Sequence, residues 1–307
     1  MTHEIQRSTV RLDGDGIALT ADVFGDAADP PALLLHGGGQ TRQAWSKTAE
    51  ALAAAGWKAV ALDLRGHGES DWPVSGEYDT EHFARDIHCV VEQLGHAPAV
   101  VGASLGGMTA LTAQRLSEAQ VFSAVVLVDI TPQMERVGVE RIVGFMLAHP
   151  KGFASLEEAA DAIAAYRPER PRPEDTSGLE RTLRRAPDGR WHWRWDARFL
   201  TTKFRATENG IEVLDARAAT MQQNLLTGAR RITVPTLLVR GAQSDVVSAD
   251  GVASFLKAVP HAEYLDVAEA GHMVSGDQND AFTGAVIDFL SRACDPVAAS
   301  LRSGGRP

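Results

Sequence analysis

The chain has 307 residues, is 44% hydrophobic and 23% charged, and carries a formal net charge of −10, the composition of a globular protein too acidic to follow a phosphate backbone. No stretch approaches the roughly 18 uninterrupted apolar residues of a membrane span, and the N-terminus MTHEIQRSTV lacks the basic start and apolar segment of a secretory signal. The expectation is a cytoplasmic protein with a small-molecule substrate and no nucleic-acid or membrane partner; its two cysteines, Cys89 and Cys294, exclude a disulfide framework and have no Cys or His neighbour at metal spacing.

Short apolar runs alternate with longer helical patterns, the signature of a mostly parallel sheet with helices on both faces. Strands are expected over 5–12 and 17–24, joined by Asp13-Gly14-Asp15-Gly16, whose residues tolerate the positive φ of a hairpin; that Asp-x-Asp pair alone has too few ligands for calcium. The third strand, 32–36, runs into His36-Gly37-Gly38-Gly39. A helix over 41–55 precedes the fourth strand, 58–63, which closes in Asp63-Leu64-Arg65-Gly66-His67-Gly68-Glu69-Ser70, a tight turn in which Asp63 and His67 read as structural. A helix over 80–94, a strand over 98–103, a helix over 105–116 and a strand over 123–129 follow.

Residues 131–233 then interrupt the alternation and read as a helical cap inserted after the sixth strand. This block carries 17 Lys and Arg against 14 Asp and Glu, so it is positive while the rest of the chain is acidic. Ile142, Phe145, Met146 and Leu156, Ala159, Ile163 have helical spacing, and Pro168, Pro171 and Pro173 break it. In RWHWRWD, an extended backbone puts Trp191, Trp193 and Trp195 on one side. Such a cluster either glues the cap to the main domain or lines a substrate pocket. Strands over 234–240 and 262–267, with helices over 249–259 and 278–292, complete an eight-stranded core made of 1–130 and 234–294. The tail, 295–307, is small, polar and expected to be disordered.

The chemistry concentrates on GASLG, Gly102 to Gly106, between the fifth strand and its helix. A strand, a one-residue bend and a helix force the bend residue outward, and flanking glycines relieve the crowding, so Ser104 reads as a nucleophile; the competing reading is an ordinary helix-capping serine. A serine hydroxyl needs a base held by a carboxylate. His272, in Ala270-Gly271-His272-Met273 after the last strand, is the candidate base. Asp245, in VRGAQSDVVS, is the preferred acid, with Asp129 at the end of VLVD as the alternative; for Asp129 the competing role is a cap-hinge residue that satisfies local backbone donors. Two backbone donors must meet the developing oxyanion, and Gly38 and Leu105 supply them. No Lys-Ser or Lys-Thr follows the glycine run and no G-x-G-x-x-G is present, so it does not read as a nucleotide loop.

LLLHGGGQ, DLRGHGES, VGASLGG, LLVRGAQSD and AGHMV together resemble the α/β-hydrolase superfamily, specifically its capped, esterase-like and non-haem haloperoxidase-like members. The resemblance spans about residues 32–290. It implies the α/β-hydrolase fold, Ser104, Asp245 and His272 as a triad, Gly38 and Leu105 as oxyanion donors, and no cofactor or metal. Epoxide hydrolases and haloalkane dehalogenases of this superfamily have Asp at the elbow, so Ser104 implies acyl chemistry. The expected activity is hydrolysis of a carboxylic ester or lactone through an acyl-serine. C–C bond hydrolysis or perhydrolysis seen as haloperoxidase activity would use the same triad, and a non-catalytic ligand-binding scaffold is the reading from another class.

Overall fold

The computed structural model describes residues 6–168, 172–208, 210–215, 218–268 and 280–293. The hairpin of β1 (Arg7–Asp13) and β2 (Ala18–Phe24) comes first, then β3 (Pro31–Leu35) and a 3-10 turn at Arg42–Trp45 that leads into α1 (Ser46–Ala54). β4 (Lys58–Leu62), α2 (Thr80–Leu94), β5 (Ala99–Ala103), α3 (Leu105–Leu116) and β6 (Ala124–Val128) follow. The inserted block then contributes α4 (Arg136–Leu147), α5 (Leu156–Tyr166), β7 (Leu183–Arg185), β8 (Trp191–Trp193), α6 (Arg198–Thr201), β9 (Phe204–Thr207), β10 (Gly210–Val213) and α7 (Ala218–Arg230). The chain returns to the sheet with β11 (Thr236–Gly241), α8 (Ala249–Ala258), β12 (Glu263–Val267) and α9 (Asp280–Ala293).

Eight strands form one sheet in the order β1-β2-β4-β3-β5-β6-β11-β12, and all eight strands expected from sequence lie in it. Only β2 runs against its neighbours: it pairs antiparallel with both β1 and β4, while the other pairs are parallel. The central strands are apolar throughout because both of their faces are covered. Leu33, Leu35, Val100, Val125, Leu127 and Leu238 belong to one core, with α2, α3, α7 and α8 over it. The alternate residues Ala32, Leu34, Val101, Val126, Val128 and Val239 belong to the other, under α1 and α9.

From β3 the chain steps to β4 on one side and then to β5 on the other. That reversal opens a crevice at the carboxyl ends of β3 and β5, where ligands bind in open α/β sheets.

The inserted block is not wholly helical. β7 and β8 pair as one antiparallel hairpin and β9 and β10 as another, built from segments too short and too mixed in pattern to read as strands. α7, inside the 131–233 block, packs against α3: a Cβ on Gly228 would lie 2.0 Å from the Leu111 carbonyl oxygen, and Leu225 and Ala229 join the main core. Phe153, Ala159 and Leu183 form a small separate core inside the cap.

Candidate active site

Ser104 leaves β5 and precedes α3 with φ 46° and ψ −109°, a region that costs a non-glycine residue about 1–3 kcal/mol. Its side chain makes no capping bond to the helix, so the structure does not use it as an ordinary N-cap. Contacts on both sides impose the conformation. The Ser104 N–H donates to the Val128 carbonyl of β6 at 3.1 Å, and its own carbonyl accepts from Met108 N at 2.9 Å. The bend closes only because its flanks lack side chains: a Cβ on Gly102 would sit 2.7 Å from the Gly106 carbonyl, and one on Gly106 would sit 2.2 Å from the Leu35 carbonyl oxygen.

The loop after β3 lies directly beside the bend. A Cβ on Gly37 would come within 3.6 Å of the Ser104 Cβ, and Gly106 N donates back to the His36 carbonyl at 3.1 Å. Most N–H groups here are engaged: Gly37 with Gln40 Oε1 at 2.9 Å, Gly39 with His67 Nε2 at 3.2 Å, and Gln40 with the Gly37 carbonyl at 3.1 Å. Among the described residues no acceptor meets the N–H of Gly38, and Leu105, first residue of α3, has none within its helix. The two donors expected for an oxyanion are thus left available next to Ser104.

Two fully buried histidines brace this loop. His36 Nδ1–H donates to the Gly37 carbonyl at 2.8 Å while its Nε2 accepts from Leu64 N at 3.0 Å. His67 Nδ1–H donates to the Arg65 carbonyl at 3.0 Å while its Nε2 accepts from Gly39 N. Both are neutral imidazoles. Desolvation pulls His36 down to about 4, against its bond to Gly37, and pulls His67 down to about 3, with repulsion from His36 second. Asp63 is equally structural: its carboxylate accepts from Arg42 N at 2.6 Å, from Arg42 Nη1 at 2.5 Å and from Glu69 N at 2.9 Å.

Asp129 and Asp245 have different surroundings. Asp129 is fully buried at the end of β6, with φ 47°, and β6 pairs directly with β5 so that Ala103 and Val128 are partners. Its Oδ1 accepts from Gly241 N at 3.0 Å and its Oδ2 from Ser244 Oγ at 2.6 Å. The loop after β11 therefore holds Asp129. Asp245 lies on that same loop but points its carboxylate at the cap, where Oδ2 accepts from Arg141 Nε at 2.7 Å with the Asp245 side chain 35% exposed. No local pattern in the sequence marks Ser244 as the partner of Asp129. His272 lies outside the described residues.

The three tryptophans separate. Trp191 packs into the cap's own core with Phe153, while Trp193 packs against both that core and the main one and meets Phe145 and Phe153 edge-on. Trp195 joins the main core, pairs as a β-bridge with His67 and lies against Gly39. Phe199, unread in the sequence, lies 3.5 Å from a Cβ placed on Gly38, and the methyl of Met146, read there only as part of a helical pattern, 2.9 Å from one on Gly39. The cap is tied down beside them by Gly68 N to the Arg194 carbonyl at 2.7 Å and by Tyr78 Oη donating to Asp196 Oδ2 at 2.7 Å.

A cleft of about 800 Å³ lined by Asp15, Arg65, Trp72, Glu77, His82 and Arg85 involves none of the loops around Ser104. Among the described residues no group of three or more His, Cys, Asp or Glu is placed to hold a metal, and no helix is long and apolar enough to cross a membrane.

Residues 30–278 match the model of a family described as alpha/beta hydrolase fold. An esterase of Mycobacterium tuberculosis is 30% identical over 85% of this chain and 82% of its own length. The 2-(acetamidomethylene)succinate hydrolase of Mesorhizobium japonicum is 26% identical over 75% of this chain and 77% of its own. Among solved structures, an E-2-(acetamidomethylene)succinate hydrolase superposes with a TM-score of 0.78 at 23% identity, over 93% of this chain and all of that one. The Mycobacterium tuberculosis esterase superposes with 0.69 at 27% identity, over 93% and 92%.

Proposed function

The chain belongs to the alpha/beta hydrolase fold family, and from that premise we propose that it is a cofactor-free serine hydrolase that cleaves a carboxylic ester or lactone through an acyl-Ser104 intermediate. The observation that carries this reading is Ser104 held at φ 46° with no capping role, beside the N–H groups of Gly38 and Leu105, which meet no acceptor among the described residues. The relative described as an esterase supports the same chemistry.

In this reading Ser104 Oγ attacks the carbonyl carbon as His272 takes its proton, and Gly38 and Leu105 donate to the tetrahedral oxyanion. The C–O bond to the alcohol breaks and His272 returns the proton to that oxygen. Water, activated by His272, then releases the acid and restores Ser104. The carboxylate that orients His272 is Asp129 in this reading, not the Asp245 preferred from sequence. Asp129 is buried beside Ser104 and braced by two donors, whereas Asp245 is half-exposed and paired with Arg141.

The test is covalent labelling of the purified protein with a fluorophosphonate together with turnover of short-chain p-nitrophenyl esters. Both should occur in the wild type and vanish in Ser104→Ala. Ester turnover that survives in Ser104→Ala would refute the nucleophile.

A further inference from the structure

We infer that Trp195 is a specificity residue whose indole N–H binds a second carbonyl-type oxygen on the acyl part of the substrate, a proposal that rests on the serine-hydrolase reading above. Trp195 is 6% exposed, and among the described residues its Nε1 has no hydrogen-bond acceptor. An indole N–H that has no protein acceptor can take one from a ligand. The Nε1 atoms of Trp45 and Trp193 are also unaccepted, but both are shut inside packed side chains. Trp195 differs in where it lies. Its Nε1 is 3.6 Å from the point a Cβ on Gly39 would occupy, with the Met146 methyl 2.9 Å from that same point, so it lies against the loop that also carries Gly38.

The same loop touches Ser104 at its other end, through Gly37. An acyl group held by Ser104 and the Gly38 donor therefore runs along the glycine loop toward Trp195. The remaining walls there are apolar: the Met146 methyl beside Gly39 and the Phe199 ring beside Gly38. His67, bridged to Trp195, is neutral and already spends both ring nitrogens on the backbone. Trp195 is thus a single donor in an apolar wall, the arrangement that fixes the orientation of one polar atom on a ligand. A substrate with an oxygen at that position satisfies the indole, whereas an all-methylene chain leaves it unpaired, and sites built this way discriminate against the analogue that lacks the group.

The experiment compares p-nitrophenyl esters of 3-, 4- and 5-oxo acids, and of the half-ester of a short dicarboxylic acid, with the esters of the matching unsubstituted acids. Each kcat/KM is divided by that ester's own hydroxide-catalysed rate to remove inductive effects. The wild type should favour at least one oxygen-bearing chain over its methylene counterpart by about tenfold, and Trp195→Phe should bring that ratio close to one. The keto and carboxylate arms tell a neutral from an anionic acceptor. A wild-type ratio near one across the series overturns the proposal, as does a ratio retained in Trp195→Phe. The wild-type series decides by itself if the variant does not fold. If the wild type turns over none of the esters and takes no fluorophosphonate label, the serine-hydrolase reading fails, and this inference falls with it.

Discussion

Ser104 and Asp129 share a positive φ, 46° and 47°, at the carboxyl ends of paired strands β5 and β6. They are the only non-glycine residues with positive φ among the described residues. Strain of this kind persists only where the surroundings over-determine it. Here Asp129 N donates to the Val239 carbonyl at 2.7 Å and Ser104 N to the Val128 carbonyl at 3.1 Å, so each strained residue is locked by the strand beside it. Two side chains are thereby thrown off the sheet edge side by side.

Relieving that strain should separate stability from activity. Ser104→Gly is expected to raise the unfolding free energy by about 1 kcal/mol, because glycine adopts positive φ at little cost, while it abolishes ester turnover. Urea denaturation and a p-nitrophenyl ester assay check the pair. A destabilised Ser104→Gly would mean that the conformation is not strained.

The two carboxylates can be told apart by amide substitution. Asp129→Asn should lower kcat by roughly 10³–10⁴, the scale of losing the carboxylate that sets the histidine's tautomer and orientation. Asp245→Asn should change kcat less than about tenfold and act mainly on the Arg141 contact between the β11 loop and α4. Stopped-flow acylation rates of both variants decide the matter, and the opposite ranking would return the role to Asp245.

Gly106→Ala should be among the most damaging small substitutions in the core. Its Cβ would lie 2.2 Å from the backbone oxygen of Leu35, which cannot move without displacing β3, so a loss of about 3 kcal/mol or more is expected. Thermal unfolding of the variant checks this; a melting temperature within two or three degrees of wild type, about 1 kcal/mol or less, would contradict it.

The buried histidines set an acid limit. His36 and His67 fall to about 4 and about 3 in the folded protein, while an unfolded histidine titrates near 6.5. Below about pH 6.5 the unfolded chain binds protons that the folded one refuses. Stability should therefore fall as pH drops through 6.5 toward 4, at up to ~1.4 kcal/mol per pH unit for each histidine. Denaturant unfolding between pH 5 and 7 measures the slope, and a flat profile there would show that neither imidazole is held neutral.

Much of the fold was legible because its signals are local. The strands β3, β5 and β6 are apolar at every step because both of their faces are covered, and glycine neighbours mark Ser104 as a bend residue wherever the chain goes next. The cap was less legible. Its hairpins are three or four residues per strand, and α7 resembles a cap helix until its small Gly228 is seen against α3.

By itself, then, the sequence determined the layered α/β core, the place of Ser104 at a strand-to-helix bend, and the glycine loop that supplies Gly38, because periodicity and steric tolerance are properties of neighbouring residues. Only the tertiary structure decided that Asp129 stands beside Ser104 while Asp245 turns to Arg141, and that Trp195 reaches the glycine loop while Trp191 packs into the cap's own core. Those outcomes depend on which strands pair and how the cap docks. Contacts between residues well separated in the chain set both, and no local pattern encodes them.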